Sequence, residues 1–388
     1  MTRPLLLASV LVALASLHAR PVHATPPDPP APDTETLIQM PTGFAALAVE
    51  QEAGVDIAPA ARALQRVLDA VRPPPSSATP RDVLGAVAEA VSLACPELST
   101  DLGTGLISAA LATGRCDCDV LVTTYLTVAD VLGLPLSAVF MPSHAMVLWD
   151  DGRHRVFWET TVPEERPEWL VASLVAGRGA QAALHPQTRR EMVGYFVQLR
   201  ASHFVDQGEI ARGIADYDRA AALTPTLGLT FSNRGRAHLL AGDFRAALAD
   251  FDRALGLDPA FSDALYGRGL AQLALGRPAD ALTSLAAVTA QEGVVADVLH
   301  VEGLAYQALG QDAIALERFD ASIRSDPNVP LVYEARGALH ERAGNPEAAR
   351  SDYTACLRLA TGPEHEALAD EVRQRLARLT TEAPATRS

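Results

Sequence analysis

Apolar positions recur along this chain at two different periods, and the change from one to the other marks its parts. Over Asp56–Val71, Ile57, Ala60, Leu64 and Val67 or Leu68 share one face at helical spacing, and Asp82–Ala94 repeats the pattern. Val120–Leu132 continues it with Val122, Tyr125, Ala129 and Leu132, and stops at Gly133-Leu134-Pro135. The period then shortens. Leu136–Met141 is apolar and β-like, and His144–Trp149 and Arg155–Glu159 flank Asp150-Asp151-Gly152, a hairpin signal. With Asp151 and Gly152 as the two loop residues, Asp150 pairs with Arg153 and His144 stands opposite Glu159, on one face of a sheet. From about residue 201 to 360 only helical spacing remains.

That second half is periodic at a larger scale. Gly208, Gly242, Gly276, Gly310 and Gly344 follow one another at intervals of 34 residues, as do Gly235, Gly269, Gly303 and Gly337. Pro225, Pro259 and Pro327 keep the same register, with Gly293 in place of one proline. Ala247, Ala281, Ala315 and Ala349 form a third ladder, and Tyr217, Phe251, Leu285, Phe319 and Tyr353 a fourth. Small residues let paired helices approach, a larger side chain fills the next gap, and proline ends each second helix. These ladders resemble the tetratricopeptide (TPR) family, which implies stacked helical hairpins that bind a protein or peptide. Only the second helix of the first repeat is legible, around Gly208–Leu223, and Glu364–Leu379 reads as a polar capping helix. Gly293 and Val288 depart from the pattern in the third unit.

Candidate chemistry gathers in the first half. Cys118, in Gly114-Arg115-Cys116-Asp117-Cys118-Asp119, falls on the first turn of the Val120–Leu132 helix. The positive end of the helix dipole favours a thiolate there, and free first-turn amides would form an oxyanion hole. His144 opposite Glu159 is the imidazole–carboxylate pair that a cysteine nucleophile needs. His154, one residue off that face, is given no role. The neighbouring cysteines leave three alternatives: a Cys116–Cys118 bridge, a Cys95–Cys116 bridge that frees Cys118, or zinc held by Cys116, Cys118 and a distant histidine.

Cys118-Asp119, Tyr125, Leu132-Gly133-Leu134-Pro135, Pro142 before His144, and Trp158-Glu159-Thr160-Thr161 together resemble the bacterial transglutaminase-like branch of the papain-related cysteine fold, over roughly residues 37–166. The resemblance implies catalytic Cys118, His144 and Glu159, and hydrolysis by a protease or amidase ahead of transamidation. The fold class expected is an α+β transglutaminase-like N-terminal domain followed by an all-α TPR solenoid. A degenerate, non-catalytic peptide-binding domain in a TPR adaptor is the competing expectation.

Composition narrows the partners. The formal charge of −15 disfavours nucleic acid and anionic membranes. Met1-Thr2-Arg3, the apolar run Leu5–Leu17 and Val22-His23-Ala24 read as a secretory signal peptide cut after Ala24, with an apolar core too short to span a bilayer. We therefore expect a periplasmic or secreted protein with no stable membrane insertion after cleavage, and no cofactor or metal. The expected order is a signal peptide over 1–24, a Pro-rich linker over 25–36, the transglutaminase-like domain over 37–166 and a helical connector over 167–200. TPR repeats then run over 201–361, a capping helix over 362–380 and a disordered tail over 381–388.

Overall fold

The structure, a computed structural model, describes residues 33–99, 106–141, 144–167, 171, 185–292, 295–362 and 365–381. The expected signal peptide, the linker before Asp33, Pro142, Gly293, most of the 167–188 stretch and the tail beyond Thr381 lie outside the described residues. What is described falls into two compact units. One runs to Thr230 and includes Leu257–Pro259; the other holds Phe231–Gly256 and the residues from Ala260 onward.

The first unit opens on helices α1 (Thr34–Gln39), α2 (Thr42–Gln51), α3 (Ala58–Ala70) and α4 (Pro80–Val91). Thr79 and Asp82 cap α4 reciprocally, which satisfies amides at its start. A two-residue strand β1 (Glu97–Leu98), helix α5 (Ile107–Thr113) and strand β2 (Arg115–Cys116) follow. Next comes α6 (Cys118–Leu132), whose residues Val120–Ala129 are all buried. Of its threonines, Thr127 ties the helix to α2: its Oγ1 accepts from the Gly43 amide at 2.7 Å, where a Cβ on Gly43 would lie 2.4 Å from that oxygen. Strands β3 (Leu136–Met141), β4 (His144–Asp150), β5 (Arg155–Glu159) and β6 (Glu164–Arg166) form an antiparallel meander in sequence order. Ala138, Ala145, Val147, Trp149 and Trp158 join the core with α6, whereas Val139, Met146, Leu148, Phe157 and Val171 form a separate cluster.

The hairpin register differs from the one expected. Asp150 pairs with Arg155, not Arg153, so Asp151–His154 form a four-residue loop and Glu159 falls opposite Met146 by extension of the ladder. Asp151 causes this: its carboxylate accepts from the Arg153 and His154 amides at 2.8 and 2.6 Å, folding a wider turn than Asp-Gly alone would make. A slip of two residues preserves the side-chain face, so His144 and Glu159 still meet.

The first unit extends beyond residue 200, the expected end of the connector. Helix α7 (Arg189–Asp206) pairs with α8 (Ile210–Leu223) as a hairpin, and Met192, Val193, Tyr195, Phe196 and Val197 belong to the same core as α1–α6. Arg200, 5% exposed, holds Asp216 through two bonds of 2.7 Å, the Val49 carbonyl at 2.9 Å, and Glu52.

The second unit stacks hairpins of the same kind. Helix α9 (Gly228–Leu240) straddles the division between the units and pairs with α10 (Phe244–Leu257). The later hairpins are α11 (Ser262–Ala274) with α12 (Pro278–Glu292), α13 (Ala296–Ala308) with α14 (Asp312–Ser325), and α15 (Pro330–Arg342) with α16 (Pro346–Leu359). The two glycine ladders do different work. Gly208, Gly242, Gly276, Gly310 and Gly344 turn the chain with φ between 73° and 81°. The other ladder provides space: a Cβ on Gly303 would lie 2.4 Å from the Phe319 ring. Gly303→Ala is therefore expected to cost about 1–3 kcal/mol, read as a lower urea midpoint with an unchanged slope.

A charge ladder accompanies them. Arg234 bonds Asp250 at 2.8 and 2.6 Å, Arg268 bonds Ser284 at 3.0 Å, and Arg336 bonds Asp352 at 2.9 and 2.6 Å. At the equivalent place between α13 and α14 the signs are exchanged, with Glu302 facing Arg318 at 3.5 Å. Glu302→Arg or Arg318→Asp alone should each cost about 1 kcal/mol, and the two together should recover most of it. Additive losses in a double-mutant cycle would show that the pair is uncoupled.

Helix α17 (Glu366–Thr381) ends the described chain, placing Leu368, Val372 and Leu379 against Leu331, Ala349, Tyr353 and Cys356. Its Arg375 reaches Glu371 at 2.7 Å and Glu334 at 3.6 Å. No helix among the described residues is long and apolar enough to cross a membrane.

Candidate active site

The chain reverses at Gly114, in the left-handed region with φ 74°, and Cys116 is then bridged to Cys95, their Cα atoms 5.5 Å apart. Of the three cysteine arrangements open from sequence, this is the one that leaves Cys118 a free thiol, part-buried at the first position of α6. No group of residues suited to holding a metal ion occurs among the described residues.

The first-turn amides are not free as expected. Asp117 Oδ1 accepts from the Asp119 and Val120 amides at 3.1 and 3.0 Å. An N-cap aspartate is a favoured way to satisfy those donors, and its negative charge offsets the dipole that would favour a thiolate. Among the described residues the Cys118 amide is the first-turn donor left for an oxyanion.

His144 starts β4 and Glu159 ends β5, so both stand at the same end of the sheet. His144 Nε2 lies 2.7 Å from Glu159 Oε2, and Cys118 is close enough to the ring to act on its charge. With Nε2 engaged by Glu159, Nδ1 is the nitrogen left to serve the sulfur. Glu159 is 6% exposed, and its other oxygen accepts from the Thr161 amide at 3.0 Å and hydroxyl at 2.7 Å. Both carboxylate oxygens are therefore fixed, one toward the imidazole.

The electrostatics follow from these contacts. The interaction with Cys118, and then the bond to Glu159, raises the His144 pKa to about 10. Burial alone would raise that of Glu159, but His144 and Thr161 overcome it and bring it down to about 2. The pair is thus ionised across the neutral range. Trp158 Nε1 donates to Tyr125 Oη at 3.1 Å, tying the strand that carries Glu159 to the helix that carries Cys118. His154 points elsewhere, exposed and bonded to Asp151 at 3.1 Å.

Cys118, His144 and Glu159 were each singled out from sequence. Asp117, Asp119 and Tyr195 were not given roles, although an aspartate before a helix start is a recognisable capping signal. Tyr195 left no such signal, because it lies far along the chain in a continuous apolar run. An open groove of about 480 Å³ runs between Pro73–Pro75 and α4, lined by Val71, Val83, Val87 and Leu93. It includes none of the three residues.

Comparison with known proteins bears on the repeats. No curated protein matches the chain. Among solved structures, MamA from Desulfovibrio magneticus RS-1 is 22% identical, with 43% of this chain and 94% of that one covered at a TM-score of 0.39. TTC0263, a thermophilic TPR protein of Thermus thermophilus, is 18% identical, covering 48% and 99% at 0.42. YrrB, described as a TPR protein with an unusual peptide-binding site, is 20% identical, covering 46% and 91% at 0.36. The tetratricopeptide repeat family itself matches residues 232–293 and 300–362, over the hairpins and ladders described above, and the C-terminal half of this chain is a tetratricopeptide repeat solenoid.

Proposed function

We propose that this chain is an exported cysteine-dependent acyl-transfer enzyme of transglutaminase-like type, whose repeats recruit a protein partner or substrate. The observation that carries the reading is the His144–Glu159 pair, Nε2 and Oε2 2.7 Å apart, beside the free thiol of Cys118. In this mechanism the thiol proton already rests on His144 when Cys118 Sγ attacks a carbonyl carbon. The proton passes to the leaving amine, and water or a second amine resolves the thioester. Glu159 orients the imidazole and stays ionised. Repeat solenoids present an extended concave surface suited to a peptide or protein segment. The Cys95–Cys116 bridge fits an oxidising compartment, periplasmic or extracellular.

The adaptor reading draws on a specific observation of its own. Asp119 places a carboxylate 3.9 Å from the sulfur, and Asp117 occupies two amides of the first turn; neither helps a thiolate. A p-nitrophenyl acetate assay separates the two readings. An enzyme gives a burst of about one p-nitrophenol per chain that vanishes in Cys118→Ala while the unfolding midpoint stays put. Equal, burst-free rates from both proteins would leave the adaptor.

A further inference from the structure

We infer that Asp119 is a catalytic residue that sets the protonation of the Cys118 thiol, and that Tyr195 is its positioning residue. The inference rests on the proposed reading of Cys118 as the nucleophile. Asp119 Oδ1 lies 3.9 Å from Cys118 Sγ, with the thiol as donor. Its other oxygen, Oδ2, accepts from Tyr195 Oη at 2.6 Å. Tyr195 is 6% exposed and its ring packs on Phe140 of β3, centroids 4.5 Å apart, so the hydroxyl is held from two sides. The carboxylate is therefore pinned against the sulfur by a helix that begins about 70 residues further along the chain.

The groups facing Asp119 are Cys118 and Asp117 on its own helix and cap, His144 from β4, and Tyr195 from α7. An ionised carboxylate there accepts the S–H bond and disfavours a second negative charge, which keeps the proton on sulfur. Once neutral, the same carboxyl can donate to the sulfur and stabilise the thiolate paired with His144. Burial raises the Asp119 pKa to about 6, against the Tyr195 bond, which lowers it. Removing the charge of Asp119 should therefore favour the Cys118–His144 ion pair. The acyl-transfer site takes in α7, although the resemblance in sequence ends near residue 166.

The test is the pH dependence of iodoacetamide labelling at Cys118 in the full chain, read by peptide mass spectrometry. Asp119→Asn should move the midpoint down by about one pH unit. Tyr195→Phe, which removes one oxygen and keeps the ring, should move it in the same direction by less, because the carboxylate then holds its proton to higher pH. The double variant should match Asp119→Asn alone, since Tyr195 acts only through Asp119. An unmoved curve in Tyr195→Phe, or a shift that adds in full to that of Asp119→Asn, overturns the inference. His144→Ala in the same series separates the two levels: labelling indifferent to His144 contradicts the nucleophile reading, while the comparison of the Asp119 and Tyr195 variants still reads their coupling.

Discussion

His144→Ala should slow alkylation of Cys118 at pH 6 by about 100-fold, with the pH midpoint rising toward the ordinary thiol value of about 8.5. The imidazolium would supply the positive charge beside this sulfur, and each pH unit of displaced thiol pKa changes the thiolate fraction tenfold. The sign of the pH dependence follows from the two shifts. His144 is raised, so its stabilising contribution is complete below its ordinary value near 6.5 and is lost as pH rises through about 10. Glu159 is depressed, so its contribution is present above about 4.5 and is lost as pH falls through about 2. Between these limits the pair holds, and His144→Ala should also lower the unfolding free energy by about 1–2 kcal/mol by stranding a buried carboxylate. A labelling rate equal to that of the unaltered protein would show that His144 does not serve the thiol.

Arg200→Ala should destabilise the first unit by about 3–5 kcal/mol, enough to unfold it at ordinary temperature if that unit is of average stability. The guanidinium holds three groups: Asp216 on α8, Glu52 just after α2, and the Val49 carbonyl in α2. Removing it strands Glu52, buried, and Asp216, half-buried, with Arg219 lying 3.5 Å from Glu52. Arg200→Lys should recover only part of the loss, because a single ammonium cannot make the two-pronged contact with Asp216. Urea unfolding followed by tryptophan fluorescence reads this directly, since Trp149 and Trp158 both lie in the first unit. A loss below about 1 kcal/mol would mean that α7 and α8 are not structurally part of it.

What the sequence disclosed was what repeats or alternates. The glycine ladders were visible because turning the chain and admitting a ring each tolerate almost one residue, as at Gly310 and Gly303. The thiol, imidazole and carboxylate could be read because α6 and the meander fix their faces by parity, and parity survives the two-residue error in register. The loop itself misled, because Asp151 captures the Arg153 and His154 amides, a choice that depends on side-chain bonds and not on the Asp-Gly pair alone. Helix α7 was hidden for a different reason. It buries Met192, Tyr195 and Phe196 in the first core and Ala201 and Val205 in its hairpin with α8, so its apolar residues run together without a helical stripe. Ala201 also stands where later repeats have glycine. The charge ladder could have been found at the same 34-residue period, had Arg200, Arg234, Arg268 and Arg336 been aligned with Glu302 between them.

The central claim is an ion-paired nucleophile, and the most direct measurement is the 240 nm absorbance of the thiolate, taken as the difference between the protein and Cys118→Ser from pH 4 to 9. The expected result is a thiolate that appears at lower pH in the protein than in His144→Ala. A thiolate that appears only near pH 8.5, with or without His144, would contradict it.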